Sequence, residues 1–400
     1  MLPADSDAEI QPQLYDYQPL NLTRPQIRLI NLKSGPFNGI VECDIHIFDV
    51  ESAPPYVALS YTWGPPSPTA HILVNGQQFE IRQNLHNFLL EYRNDANNKQ
   101  PIWIDQICIS QGHTAERNHQ VQLMSKIYES SLWAIIWLGH DVRDTAMAFN
   151  ALRMEHLSDR FELAKIMLRH EYFGRTWVVQ EMLLPPSARV FCGNVWIELE
   201  QLSNAIHHRP RNSSLTLSFD GLESHLNVVG VFQTFQYYSE KALDLHQCVV
   251  SFMGHKCEDP RDKIYGILGL MQQSDRLVVD YTKTAHDIFI ETALMIIKSG
   301  NWNFTQSEDQ YVFGFHTTIG RHVGDYPAVY ESSMLLSNMG LESYQAVITS
   351  FLTDMSRAVR TEKRQITATG FDPVLDRWWF ICDGAVHYRD GTNYRAENPV

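Results

Sequence analysis

In the first half of the chain, short apolar runs of alternating character are separated by stretches whose apolar positions recur at helical spacing. "IRLINL" (Ile27 to Leu32) and the imperfectly alternating "IVECDIHIFDV" (Ile40 to Val50) predict two early strands. A third follows in "PPYVALSYTWGPP", where Val57, Leu59 and Tyr61 alternate with Ala58, Ser60 and Thr62 before Gly64 and two prolines stop the run. "HILVNGQQFEI" carries Asn75-Gly76 between two alternating segments, a hairpin signal because both central positions of the favoured turn need φ > 0. Leu85, Phe88, Leu89 and Tyr92 then share one helical face. "PIWIDQICIS" and "LWAIIWLG" read as buried strands, flanking a helix with Thr114 as N-cap, Glu116 in its first turn, and Val121, Met124, Ile127 and Tyr128 on one stripe. Residues 141–175 read as mostly helical. "RTWVVQEMLLPP" is a short, nearly all-apolar helix halted by Pro185 and Pro186, and "ARVFCGNVWIEL" is a strand with a turn at Gly193.

Strands alternating with helices predict an α/β fold with a mostly parallel sheet, and in such sheets ligands collect outside the C-terminal strand ends. From about Gln201 the periodicity is mainly helical, in "NVVGVFQTFQYYSEKALDL", "DPRDKIYGILGLM" and "AHDIFIETALMIIKSG", whereas the last forty residues are too irregular to assign. The expected organisation is a flexible N-terminal arm over 1–26, an α/β domain over 27–195 and a mainly α-helical region over 196–400.

Composition narrows the function classes. The chain has 400 residues, 44% of them hydrophobic, and a net charge of -14, which repels phosphate backbones and argues against nucleic acid as a partner. Its apolar runs are too short to span a bilayer, and "MLPADSDAEI" is acidic where a signal peptide would be basic, so the expected location is cytoplasmic. Six scattered cysteines with no C-x-x-C pair predict reduced thiols, mostly buried, and no zinc site. Phosphate loops, dinucleotide fingerprints, nucleophile elbows and H-E-x-x-H are all missing from the sequence.

Four blocks in order, "YVALSYTWG", "IWIDQICISQ", "ERNHQVQLMSKIYESSLWAIIWLG" and "RTWVVQEMLL", resemble the fungal heterokaryon-incompatibility (HET) domain. Gln106 and Ser110 depart from the more usual apolar or small residue and Asn. The resemblance implies non-self recognition and programmed cell death in filamentous fungi. It also implies a protein partner encoded by an incompatible allele or a second locus, and the chain can be expected to form homo-oligomers. HET domains are in turn distantly similar to TIR domains, which have a flavodoxin-like sheet and some of which hydrolyse NAD. "LSYTWG" is similar to a TIR strand and its loop, and "TWVVQE" to the TIR pattern of a Trp with a Glu four residues on.

The TIR similarity gives the residues of these blocks two readings each. Glu181 is either a catalytic carboxylate or an ion-paired or exposed side chain. It shares a helical face with Trp177, and it is read as lying toward the helix C-terminus, where the macrodipole disfavours negative charge. One carboxylate suffices to cleave NAD, because nicotinamide leaves as a neutral base from a cationic pyridinium and needs no general acid, unlike an ordinary glycoside. Trp63 and Tyr61, with Ser60, are either the lip of a ligand site or core packing; Asp105 either holds a ribose hydroxyl or caps the next turn. The NAD reading thus takes Glu181 as catalyst, with Ser60, Tyr61, Trp63, Asp105 and Trp177 binding substrate. It invokes no cofactor and no metal, NAD being the substrate. The alternative is a non-enzymatic signalling adaptor that oligomerises and recruits partners.

Overall fold

The computed structural model describes residues 13–36, 38–139, 170–193, 195–207, 243–252, 254–299, 302–307, 310–315, 337–341, 358, 364–372, 377–383, 385–390 and 393–397. In chain order the elements begin β1 (Gln26–Leu32), β2 (Glu42–Asp49), β3 (Val57–Tyr61), β4 (Thr69–Val74), β5 (Gln77–Arg82), α1 (Gln83–Tyr92) and β6 (Ile102–Trp103). They continue with α2 (Asp105–Cys108), α3 (Thr114–Glu129), β7 (Ala134–Trp137), α4 (Val178–Leu183), β8 (Ala188–Cys192), β9 (Val195–Glu198) and α5 (Leu199–His207). After these come α6 (Leu245–Phe252), α7 (Asp262–Tyr265), α8 (Ala285–Ser299), β10 (Trp302–Ser307), β11 (Gln310–Phe315), β12 (Ile366–Asp372), β13 (Arg377–Cys382), β14 (Ala385–Asp390) and β15 (Asn393–Glu397). Two compact units result, Met1–Tyr172 with Pro185–Pro210, and Phe173–Leu184 with Arg211–Val400.

The first unit is built on a nine-stranded sheet of order β5-β4-β2-β1-β6-β3-β7-β8-β9. Its centre, β6-β3-β7-β8, is parallel. Both flanks add antiparallel pairs, so the sheet is mixed rather than mostly parallel. Counted from β3, the parallel strands follow the order 2-1-3-4 of a doubly wound sheet, whose chain reverses direction beside its first strand. Trp103 is in register with Ala58 and Trp137 with Tyr61, so the two tryptophans project from opposite faces. Tyr128 of α3 meets Trp103 at 5.7 Å and Phe88 of α1 meets Trp137 at 5.7 Å, which puts a helix on each face. Strands covered on both sides read as continuous apolar runs, and β3 and β7 are buried throughout.

The Asn75-Gly76 hairpin forms as predicted, with φ of 50° and 77° at its two turn residues. The predicted face of α1 is buried in full; on α3, Met124, Ile127 and Tyr128 are buried and Val121 is half-buried. The α3 N-cap is His113, one residue earlier than expected, its ring accepting from Glu116 N–H at 3.2 Å. "PIWIDQICIS" is a strand only over Ile102–Trp103 and then turns into α2, which takes Cys108 out of the sheet.

Residues 13–26, read from sequence as part of a loose arm, are tied down. Tyr15 N–H donates to Gln78 O at 2.9 Å and Gln78 N–H to Gln13 O at 2.9 Å, along the outer edge of β5. Tyr17 donates its hydroxyl to Ile107 O at 2.9 Å, and the Arg28 guanidinium lies 4.7 Å from the Tyr17 ring.

Among the described residues the second unit carries α4, α6, α7 and α8, but the region expected to be mainly helical also holds six strands: the ribbon β10-β11 and, within the last forty residues left unassigned from sequence, the antiparallel meander β12-β13-β14-β15. "AHDIFIETALMIIKSG" forms α8 as expected, and its Phe289 packs on Trp378 of β13 at 6.2 Å. Most of the helix expected in "NVVGVFQTFQYYSEKALDL" and most of that expected over 141–175 lie outside the described residues.

Candidate functional site at the ends of the parallel strands

Chain reversal in a doubly wound sheet leaves a crevice at the C-terminal ends of the strands beside it, here β3, β6 and β7. Each of these strands delivers residues suited to a ligand lip. β3 runs into Thr62, Trp63 and Gly64; β6 into Ile104 and Asp105; β7 into Leu138 and Gly139. Gly64 and Gly139 have φ of 73° and 96°, the left-handed region that glycine enters without a Cβ penalty.

Asn84, in the first turn of α1, joins two of these ends. Its amide donates to Thr62 O at 2.6 Å and its Oδ1 accepts from the Trp137 indole at 3.1 Å. Sequence reasoning passed over Asn84; its signal was an Asn at a helix start, a position that capping also explains.

Trp63 and Asp105 meet. The Trp63 Nε1–H donates to Asp105 Oδ2 at 2.6 Å, while Asp105 Oδ1 accepts from Gln106 N–H at 2.7 Å. Asp105 therefore makes the local turn contact and also reaches the neighbouring strand's aromatic. Arg82 lies 5.0 Å from the Trp63 ring and donates to Gly64 O at 2.6 Å, bringing a cation to the same rim. Both Trp63 and Asp105 are half-buried.

Ser60 and Tyr61 sit deeper, each buried within β3. The Ser60 and Tyr172 hydroxyls share a hydrogen bond at 2.6 Å. Gln106 accepts from Arg82 N–H at 3.0 Å, so this departure from the HET pattern has a use at the start of α1. Ser110 N–H donates to Glu116 Oε1 at 2.7 Å.

Glu116 is no surface cap. It is buried and bonded to the equally buried Arg28 at 2.6 and 3.0 Å, and Arg28 also reaches Cys108 O and Gln18 O. Burial pushes the Glu116 carboxyl up, but Arg28 and the Ser110 N–H together hold it below the usual value. The pair thus pins α2, which begins at Asp105. No spacing rule links Arg28 to Glu116 across 88 residues, which is why sequence did not reveal it.

Glu181 and Trp177 belong to the second unit. α4 is six residues long and buried throughout, and Glu181 is its fourth residue, one turn on from the Trp177 N-cap. Glu181 itself is only 5% exposed. The Trp177 indole donates to Asp262 Oδ2 at 3.0 Å.

All six cysteines are free and five are buried; burial pushes the Cys108 thiol up to about 12, away from the thiolate form that a nucleophile needs. Among the described residues no cluster of three His, Cys, Asp or Glu could hold a metal, and no helix is long and apolar enough to cross a membrane. An open groove of about 340 Å³ lies beside β8 and β9, lined by Asn97, Arg189, Trp196, Ile197, Glu198 and Gln201. It contains none of the residues predicted from sequence, and its one cation, Arg189, faces Glu198 at 2.9 Å.

The first unit is thus an α/β domain whose neighbouring parallel strands end in Trp63, Asp105 and two left-handed glycines. Residues 56–181 match the family model described as heterokaryon incompatibility protein (HET), a span that opens on β3 and closes in α4. The chain is also 28% identical to Heterokaryon incompatibility protein 6, OR allele, of Neurospora crassa, over 75% of this chain and 56% of that protein. The chain spans little more than half the length of that curated relative. No solved structure matches it.

Proposed function

We propose that this protein acts in fungal heterokaryon incompatibility by cleaving the nicotinamide-ribose bond of NAD once a partner protein, the product of an incompatible allele or a second locus, engages it. The observation that carries the reading is the rim at the strand ends, where Trp63, Asp105 and Asn84 are held around two left-handed glycines. Aromatic, carboxylate and open backbone are the groups that take a base, a ribose hydroxyl and a phosphate. Ser60 and Tyr61 support that rim from within β3. The TIR-like reading takes Glu181, on α4 of the second unit, as the catalytic carboxylate and Trp177, the N-cap of that helix, as an aromatic contact for substrate. A fixed anion in a water-poor site stabilises an oxocarbenium-like transition state, and the departing nicotinamide needs no proton. The order of the parallel strands favours the TIR-like comparison from which this chemistry comes.

The test is NAD consumption by purified protein, alone and self-associated at high concentration, against Glu181→Gln. Loss of a preorganised electrostatic group predicts a fall of about a hundred- to a thousandfold in rate. Equal rates for the two proteins, or no consumption by either, reject the catalytic assignment. The adaptor reading then stands, and it predicts self-association and partner recruitment with NAD untouched.

A further inference from the structure

The run "EDPRDK", Glu258 to Lys263, has no part in the reaction above, yet its surroundings hold the helix that carries Glu181. Within the second unit, residues 174–180 are laced to residues 255–266. Lys256 N–H donates to Gly174 O at 2.6 Å, Thr176 N–H to Lys256 O at 2.9 Å, and the Gln180 amide to Tyr265 O at 3.0 Å. The approach is close: a Cβ on Gly266 would stand 2.7 Å from Thr176 Cγ2. A helix of six residues has no stability of its own, so its setting comes from what grips it.

Of these grips, only the one on Trp177 acts through a carboxylate. Asp262 Oδ2 accepts the Trp177 indole N–H at 3.0 Å while its Oδ1 accepts the Tyr281 hydroxyl at 2.5 Å. Trp177 is the N-cap of α4, and Glu181 N–H donates to Trp177 O at 3.3 Å, so the residue holding the indole also anchors the turn on which Glu181 sits. Hydrogen bonds to an ionised acceptor are about twice as strong as neutral ones. The other charges facing Asp262 are Asp259 and Arg261, which are bonded to each other at 2.5 and 2.8 Å.

We propose that Asp262 is a positioning residue for the reaction: by fixing the Trp177 indole it sets where the Glu181 carboxylate stands. The proposal rests on the reading of Glu181 as catalytic. Burial lifts the Asp262 carboxyl to about 6 against the two donors that favour its anion. The hold therefore weakens as pH falls through that value, and NAD cleavage weakens with it.

Hydrogen-deuterium exchange over residues 177–184 and NAD kinetics on Asp262→Asn, Trp177→Phe and Tyr281→Phe test this. Tyr281→Phe leaves the carboxylate in place, so it serves if Asp262→Asn does not fold. Expected are faster exchange in all three variants and, for Asp262→Asn, a kcat lower by about tenfold or more with KM little changed, as for loss of a bond to a charged group. The fall in rate through about pH 6 disappears in Asp262→Asn. Exchange at wild-type rates in Trp177→Phe and Tyr281→Phe, or an acid limb retained in Asp262→Asn, overturns the proposal. Wild-type protein inert toward NAD rejects the catalytic reading instead, and exchange alone then decides whether Asp262 holds α4.

Discussion

Replacing Glu116 by Ala removes one half of the most deeply buried ion pair described in the protein. Arg28 is 1% and Glu116 3% exposed, so the guanidinium left behind would remain out of water, bonded to the carbonyls of Cys108 and Gln18. Breaking such a pair costs about 3–5 kcal/mol, because the surviving charge keeps its desolvation penalty and loses its counter-ion. For a unit of this size each kcal/mol moves the melting temperature by about 2–4 °C, which gives a fall of about 6–20 °C. The assay is thermal and urea unfolding by circular dichroism, run at several pH values. The folded-state pKa of Glu116 is depressed below 4.5, so its contribution is fully present above that value and is lost as pH falls through the folded pKa. The gap between wild type and Glu116→Ala therefore narrows in acid. Replacing both partners with apolar residues, Arg28→Met with Glu116→Leu, should recover most of the loss. A single substitution costing under about 1 kcal/mol, or a gap that does not change with pH, would show that the pair is effectively solvated and refute the reasoning.

Two further outcomes are expected. Asn84→Ala removes the bonds to Thr62 and Trp137 and should cost about 1–2 kcal/mol in urea unfolding while weakening nucleotide binding by calorimetry; unchanged affinity removes Asn84 from the rim. Alkylation of native protein at neutral pH should be slow and confined to Cys257, the one half-buried thiol, which burial pushes up to about 11; mass spectrometry showing label on Cys108 would contradict its burial.

What the sequence revealed was whatever local periodicity controls. β3, β7 and the Asn75-Gly76 hairpin follow from alternation and turn chemistry, and the α1 face from its spacing. β6 is shorter than the apolar run around it, because apolar content alone does not separate a buried strand from a buried turn of helix. The strands of the second unit were missed although "RWWFIC" alternates in burial, since two adjacent tryptophans hide a period of two. For the site, Trp63 and Asp105 were singled out separately, but their bond depends on β3 and β6 being neighbours. The partners of Trp177 and Glu116 lie 85 and 88 residues away, where pairing is set by packing and leaves no local trace.

The short stretch from Gln13 to Tyr15 satisfies Gln78 on the outer edge of β5, the last strand on that side of the sheet. A chain begun at Gln26 would leave the Gln78 N–H and C=O open on that edge, and an open strand edge is a template for another chain. Self-association of a shortened protein would then report a sheet extended across molecules, and it would mimic recruitment by an intact one. Oligomers bear on the adaptor reading only when they form with residues 13–25 in place.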